Sequence, residues 1–150
     1  MKTKKSAAAT PPRFVKLSAA GKELAASAKT WAQVLDRKTD LIWTANTVGP
    51  RAQFADAKKL AENCGVGDHT DWRLPTIEEL LSLVDYTRCK PAIDTAFFRC
   101  ESSWYWSSTP DAESPSVYAW YVYFNYGGSY VYLRSGTAFV RAVRSARASQ

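Results

Sequence analysis

The order of apolar and polar residues predicts strands in the first third of the chain. Phe14–Leu17 has the apolar pattern of a short first strand. Two apolar runs, 31–35 and 41–44, flank a polar five-residue turn, an arrangement typical of a β-hairpin. The alanine-rich residues 21–29 fit either a helix or a loop.

Two segments with helical spacing follow the hairpin. We expect the first helix to begin at Pro50 and to end before Gly65, because glycine favours the C-terminal cap. The second begins at Thr76, and Glu79 completes a capping box with it. Residues 91–98 predict a third, short helical turn. The predicted buried stripes are Phe54, Ala57, Leu60 and Ala61 in the first helix, and Ile77, Leu80, Leu81 and Val84 in the second.

The chain changes to strands and turns after Cys100. Strand-like segments occupy residues 104–106, 119–124, 130–133 and 139–143, with a tight turn at Gly127 and Gly128. The predicted fold class is therefore α+β, with two helices and antiparallel β-sheets or hairpins. We expect residues 1–12 to form a flexible basic tail and residues 13–150 a single ligand-binding domain.

Tyrosine is concentrated in one short segment. Six of the eight tyrosines lie between Tyr118 and Tyr132. Successive side chains of a strand point to opposite faces, so we expect Trp120, Val122 and Phe124 to point inward. Cross-strand pairing would explain one or two exposed tyrosines, whereas a face of Tyr, Ser, Gly and Asn is typical of a binding surface. The predicted outward residues are Tyr121, Tyr123, Asn125, Tyr130 and Tyr132, with Val131 and Leu133 inward.

The charge distribution argues against nucleic acid as the partner. The net charge is +6, but no dense run of basic residues is interleaved with the aromatic ones. No segment is apolar for long enough to span a membrane, and residues 1–13 lack the apolar stretch of a signal peptide. We therefore expect a cytoplasmic or virion-associated protein without membrane insertion. Basic residues concentrate near the two ends, at Lys2, Lys4 and Lys5 and at Arg141, Arg144 and Arg147.

The residues that could support catalysis or bind a metal are few. His69 is the single histidine, which rules out a site with several histidines. The segment from Asp111 to Pro115 does not match a calcium-binding lectin loop. The three cysteines have no Cys-x-x-Cys spacing, so free thiols are expected, and a Cys89–Cys100 disulfide is the alternative. We expect no catalytic residue, no metal and no cofactor.

Four motifs in a fixed order carry a resemblance to a known family. They are Asp-Trp-Arg-Leu-Pro-Thr at 71–76, Trp-Ser-Ser-Thr at 106–109, Ala-Trp-x-Val-x-Phe at 119–124 and Phe-Val-Arg-Ala-Val-Arg at 139–144. Over residues 31–145 the chain resembles the family that includes the C-terminal domain of a bacterial collagen-like adhesin. Asp40 stands where such domains often have glycine. The resemblance implies a C-type-lectin-like fold of the formylglycine-generating-enzyme type, with the structural residues Trp72, Arg73, Trp106, Trp120 and Arg141. Arg73 is expected to pair with Glu78 or Glu79.

Many members of that family are variable proteins of diversity-generating retroelements, in which template copying randomises adenines in Asn-type codons. Such codons cannot yield Lys, Glu, Gln or Met, and residues 114–149 contain none of these. The resemblance therefore implies a variable region at about 116–138 on a fixed framework. The implied ligand-binding residues are Tyr118, Tyr121, Tyr123, Asn125, Tyr126, Gly128, Tyr130, Tyr132, Gly136, Thr137 and Ala138.

Two functions remain open from the sequence, and neither is enzymatic. The first is a diversified binding protein whose tyrosine-rich surface recognises a protein or other macromolecule. The second is an adhesin-type module of fixed specificity that binds acidic polysaccharide through Arg134, Arg141 and Arg144. An arginine site weakens strongly with ionic strength and an aromatic face does not, so salt separates the two. The ligand and the oligomeric state do not follow from the sequence.

Overall fold

The computed structural model describes residues 11–147, and it contains two antiparallel sheets. The four-stranded sheet has the order β1 (Phe14–Leu17), β2 (Gln33–Asp36), β3 (Leu41–Thr44) and β7 (Val143–Ser145). The three-stranded sheet has the order β4 (Trp104–Pro110), β5 (Tyr118–Tyr123) and β6 (Gly128–Leu133). Residues 1–10 of the predicted tail lie outside the described residues.

Two helices connect the sheets and confirm the predicted α+β class. The helices are α1 (Phe54–Glu62) and α2 (Ile77–Leu81), and a 3-10 turn covers Val66–Asp68. The predicted start of α1 at Pro50 is wrong. Residue 52 is held in an extended conformation, because Ala52 and Ala138 exchange backbone hydrogen bonds of 2.9 and 3.0 Å. The C-type-lectin-like assignment stays a prediction.

The predicted hairpin and capping box are both confirmed. In the turn between β2 and β3, Asp40 has a φ of 56°, a left-handed conformation that Asp tolerates better than most residues. This conformation is consistent with glycine at the same place in related domains. At the start of α2, Thr76 and Glu79 bond reciprocally, with distances of 3.2 and 2.8 Å.

Tertiary contacts modify two segments predicted from the sequence. The predicted helical turn is confined to residues 94–98, where the Asp94 carbonyl accepts from the amides of Phe97 and Phe98 at 3.1 Å, because the Ala92 amide donates to the Phe124 carbonyl over 2.6 Å. The strand predicted at 139–143 is displaced to β7, which pairs with β3. Phe139 bonds to β4 instead, its carbonyl accepting from the Trp106 amide at 3.0 Å.

The core consists of two apolar clusters, and an arginine is buried beside the second. Trp72 and Trp106 lie in the first cluster, and both are almost fully buried. Arg141 is fully buried: its guanidinium donates to the carbonyls of Thr44 and Arg99 and lies over the Phe98 ring at 5.2 Å. The prediction that Arg141 contributes to a polysaccharide site is therefore wrong.

Two further expectations are corrected by burial and by the state of the thiols. Trp120 is only half-buried, because it lines a surface pocket of about 380 Å³ together with Ile77 and Glu78. The alternative Cys89–Cys100 disulfide is contradicted, since all three cysteines are free thiols. The predicted pairing of Arg73 is confirmed with Glu79, at 2.7 and 2.8 Å.

Replacing Trp106 with Ala should lower the free energy of unfolding by about 3–5 kcal/mol, because a large buried ring is removed. Trp120→Ala is the matched control and should cost less than about 2 kcal/mol, because this ring is half-exposed. Urea unfolding at neutral pH measures both values. Equal losses in the two variants would contradict the burial difference.

Glu79 should make stability depend on pH. Burial opposes its ionisation, but hydrogen bonds from Arg73 and Thr76 outweigh this and hold its pKa below the ordinary value of 4.5. Because its pKa is lowered in the folded state, ionised Glu79 stabilises the protein at pH values above 4.5. This stabilisation is lost as the pH falls through the folded-state pKa. Glu79→Gln should therefore cost about 1 kcal/mol at pH 7. In urea titrations the difference from wild type should shrink towards pH 3; a constant difference would exclude this linkage.

Candidate functional site

One side of the three-stranded sheet brings six aromatic rings together. Directly paired residues of neighbouring strands share a face, and so do alternate residues of one strand. The register pairs Trp104 with Tyr123, Trp106 with Tyr121, and Tyr121 with Tyr130. We call this side the aromatic face; it comprises Trp104, Trp106, Tyr121, Tyr123, Tyr130 and Tyr132.

Tyr121 lies at the centre of the aromatic face. Its ring stacks on Tyr132 at 5.2 Å between centroids and lies 6.0 Å from Trp106 and 6.4 Å from Tyr130. Only 8% of Tyr121 is exposed, so the expectation of an exposed side chain is wrong, although its side of the sheet is the predicted one. Burial raises its pKa, and the neighbouring Tyr132 adds to this, which keeps the hydroxyl protonated.

The most exposed rings of the aromatic face lie on β6. Trp106 is fully buried on β4, and Tyr123 on β5 is half-buried. Tyr130 and Tyr132 on β6 are 54% and 38% exposed. The predicted burial of Val131 and Leu133 is wrong, because β6 is the edge strand and both of its sides are accessible. The face thus has a rigid base and an exposed edge.

Two arginines border the aromatic face. The Arg51 guanidinium lies 5.5 Å from the Trp104 ring and donates to the Thr137 carbonyl over 2.9 Å. Arg134 lies 4.6 Å from the Phe54 ring, which in turn packs against Trp106. Within residues 11–147, neither arginine has a carboxylate oxygen within 4.0 Å. Neither guanidinium is therefore neutralised by an ion pair within these residues, and Arg134 donates to the Pro115 carbonyl over 3.0 Å.

Two residues of this site, Trp104 and Arg51, were not predicted from the sequence. Trp104 stands two positions before Trp106, and this period-2 spacing places both rings on one face. Trp104 stacks on Tyr123 at 4.9 Å, so it belongs to the site. Arg51 had no local signal, because it reaches the face from a loop more than fifty residues earlier in the chain.

Several predicted site residues lie away from the aromatic face. Tyr118 pairs with Leu133 on the opposite side of the sheet. Ala138 is fully buried beside Ala52, so its predicted contact with a ligand is wrong. The loop that joins β5 to β6 contains half-buried Asn125 and exposed Tyr126, the latter beside the Lys90 ammonium at 5.9 Å. The other predicted residues lie at the face or its border: Tyr123, Gly128, Tyr130, Tyr132, Gly136 and Thr137.

A groove of about 720 Å³ lies beside the aromatic face. Arg51 lines this groove and also lies next to the Trp104 ring of the face. Thr137 lines it on one side, and α1 contributes Asp56 and Leu60 on the other. The lining combines polar and apolar side chains. The groove extends the accessible surface beyond the six rings and places Thr137, a predicted binding residue, on its wall.

Residues 11–147 contain neither a cluster of metal ligands nor a helix that could span a membrane. In that part of the chain, no three His, Cys, Asp or Glu side chains are grouped to hold a metal ion. None of the helices described there has the length and apolar character needed to cross a membrane. The Asp71 carboxylate accepts from Arg144 over 2.8 Å, and this bond lowers the pKa of Asp71. These residues therefore contribute to structure.

Comparison with known proteins identifies the family. No curated protein matches the chain. The family model described as the Lcl C-terminal domain matches residues 32–144, a range that extends from just before β2 into β7 and includes the aromatic face. This match supports an adhesin-like, ligand-binding module of the phage or bacterial kind. The chain belongs to the Lcl C-terminal domain family.

Proposed function

We propose that this protein binds a macromolecular surface, by preference that of a protein, through the exposed edge of the aromatic face. The observation that carries the proposal is the position of Tyr130 and Tyr132. Both rings are exposed on an edge strand, and Tyr132 stacks on the buried Tyr121 at 5.2 Å. Tyrosine rings on a rigid base offer large contact area at low entropy cost.

The proposal includes the absence of enzymatic activity. Burial raises the pKa of the Cys64 thiol and of the Cys100 thiol. A thiol with a raised pKa is a weak nucleophile at neutral pH, because the thiolate is the reactive form. His69 packs its ring edge towards Trp72 at 6.5 Å, in the manner of a structural residue. These features support a binding role.

We further propose that a diversity-generating retroelement has varied the exposed positions and that the fold is C-type-lectin-like. The distribution of burial supports the proposed diversification. Tyr126, Tyr130 and Tyr132 are exposed, and substitutions there cost the fold little. By contrast, Phe124 is fully buried. Gly127 has a φ of 91°, and a Cβ there would lie 2.4 Å from the Val84 side chain.

Two of the three arginines that the polysaccharide alternative requires are buried. Arg141 is fully buried. Arg144 is 8% exposed and paired with Asp71. Arg134 is the one arginine of the three with an accessible guanidinium, and it has no basic partner from that set. The aromatic face is therefore the better-supported site.

Binding should depend on the exposed tyrosines and weakly on salt. The Tyr130→Ser/Tyr132→Ser variant should lose at least about tenfold in binding, while its melting temperature stays within a few degrees of wild type. A panel of bacterial strains is first screened for the strain that the wild-type protein binds best. Binding of each labelled variant to that strain is then measured by flow cytometry. Between about 0.05 and 0.5 M salt, binding should change by less than about threefold.

Tyr86→Ser is the matched control for that experiment. Tyr86 is 76% exposed but lies outside the aromatic face, so its loss should leave binding unchanged. Unchanged binding in the double variant, or an equal loss in the control, would contradict the proposed site. A steep loss with salt would favour the polysaccharide alternative.

The locus should carry the signs of retroelement diversification. Adjacent DNA should contain a reverse-transcriptase gene and a near-copy of the 3′ end of this gene, with Asn codons at the variable positions. Among isolates, Tyr126, Tyr130 and Tyr132 should differ, and the covered Tyr121 should differ less. The buried Val122 and Phe124 should not differ, because substitutions leave cavities or strain. Identical genes without a template copy would leave a binding protein of fixed specificity.

A further inference from the structure

Each exposed tyrosine of β6 lies directly over a glycine. A Cβ added to Gly136 would lie 1.8 Å from Cε1 and 2.6 Å from Cζ of Tyr132. A Cβ added to Gly128 would lie 2.8 Å from the hydroxyl oxygen and 2.9 Å from Cε2 of Tyr130. Both sets of distances are far below van der Waals contact. Each ring therefore occupies the space that a side chain at the glycine would need.

Backbone conformation does not require glycine at either position. The glycines with left-handed φ include Gly127, at 91°, but neither Gly128 nor Gly136. An L-residue at position 128 or 136 thus fits the backbone without strain. The three atoms nearest to a Cβ at each position all belong to the tyrosine ring.

The tyrosine rings can move where the backbone cannot. At Gly136 the clashing atoms Cδ1, Cε1 and Cζ form one edge of the Tyr132 ring, on an exposed edge strand. The Gly136 amide, in contrast, is held by the Leu133 carbonyl at 2.8 Å. A side chain at position 136 would therefore turn the Tyr132 ring away from Tyr121, where it now stacks at 5.2 Å. The fold beneath would remain.

We propose that Gly136 and Gly128 determine the specificity of the aromatic face by holding Tyr132 and Tyr130 flat. A side chain at either glycine converts a flat ring into a protruding one and so changes the shape that a ligand meets. Positions 132 and 136 then act as a pair, as do 130 and 128, and their effects on binding are non-additive. The part of this inference that concerns ligands rests on the proposed function, whereas the ring movement does not.

The test is Gly136→Ala in the full chain, followed by NMR. In wild type, nuclear Overhauser effects should connect the rings of Tyr121 and Tyr132. In the variant these effects should disappear while the melting temperature falls by less than about 4 °C. Ser135→Ala is the control: this neighbouring side chain is exposed and is not part of the aromatic face, so the ring contacts should persist. Retained contacts in Gly136→Ala would overturn the proposal, because the backbone would have moved instead of the ring.

A double variant keeps the test decisive if Gly136→Ala is strongly destabilised. In the Tyr132→Ala background the obstructing ring is gone, so Gly136→Ala should then change the melting temperature by less than about 2 °C. An equal loss in both backgrounds would overturn the proposal. The same comparison for Gly128→Ala with and without Tyr130→Ala tests the second pair.

The effect on recognition is measured with a nanobody selected against wild type that loses binding to Tyr132→Ala. Gly136→Ala should weaken its binding at least about tenfold, and Ser135→Ala by less than about threefold. Unchanged binding to Gly136→Ala would overturn the claim about specificity. The NMR and nanobody results do not depend on the natural ligand. Failure of the proposed function would instead appear as cell binding that survives loss of Tyr130 and Tyr132.

Discussion

The packing of Trp106 joins the hydrophobic core to the aromatic face. Its indole N–H donates to the Ala52 carbonyl over 2.9 Å, and its ring meets Phe54 of α1 edge-on at 5.5 Å. On its other side it lies 6.0 Å from both Tyr121 and Tyr132. One fully buried ring therefore fixes α1, β4 and the base of the aromatic face together. Because protein interiors are close-packed, the tyrosines that pack on this ring are held in fixed positions.

Arg141 holds the four-stranded sheet to the rest of the molecule by a different principle. Its guanidinium has no carboxylate partner among the described residues and bonds to the carbonyl oxygens of Thr44 and Arg99 instead. The Thr44 hydroxyl also accepts from the Ala142 amide at 3.2 Å. A buried cation that lost these acceptors would be strongly destabilising. This explains why a basic residue near the C-terminus serves the framework and not the surface.

The proposed function requires that stability and recognition depend on different residues. Burial is consistent with this: Trp106 and Tyr121 are buried, whereas Tyr130 and Tyr132 of β6, at the sheet edge, are exposed. The edge strand is also where side chains can turn without disturbing the core. A side chain added at Gly128 or Gly136 would turn the tyrosine ring above it. The shape of the surface would then change while the framework stays in place.

The sequence by itself determined the features that depend on neighbouring residues. These are the hairpin around Asp40, the capping box of Thr76 and Glu79, the α+β order and the alternation that puts Tyr121 and Tyr123 on one side of β5. Only the tertiary structure decided that Tyr121 is covered and that Trp120 is half-exposed. It alone brought Arg51 to the face. Periodicity assigns a side chain to a face, but its burial depends on which distant element packs there, and those contacts leave no local pattern.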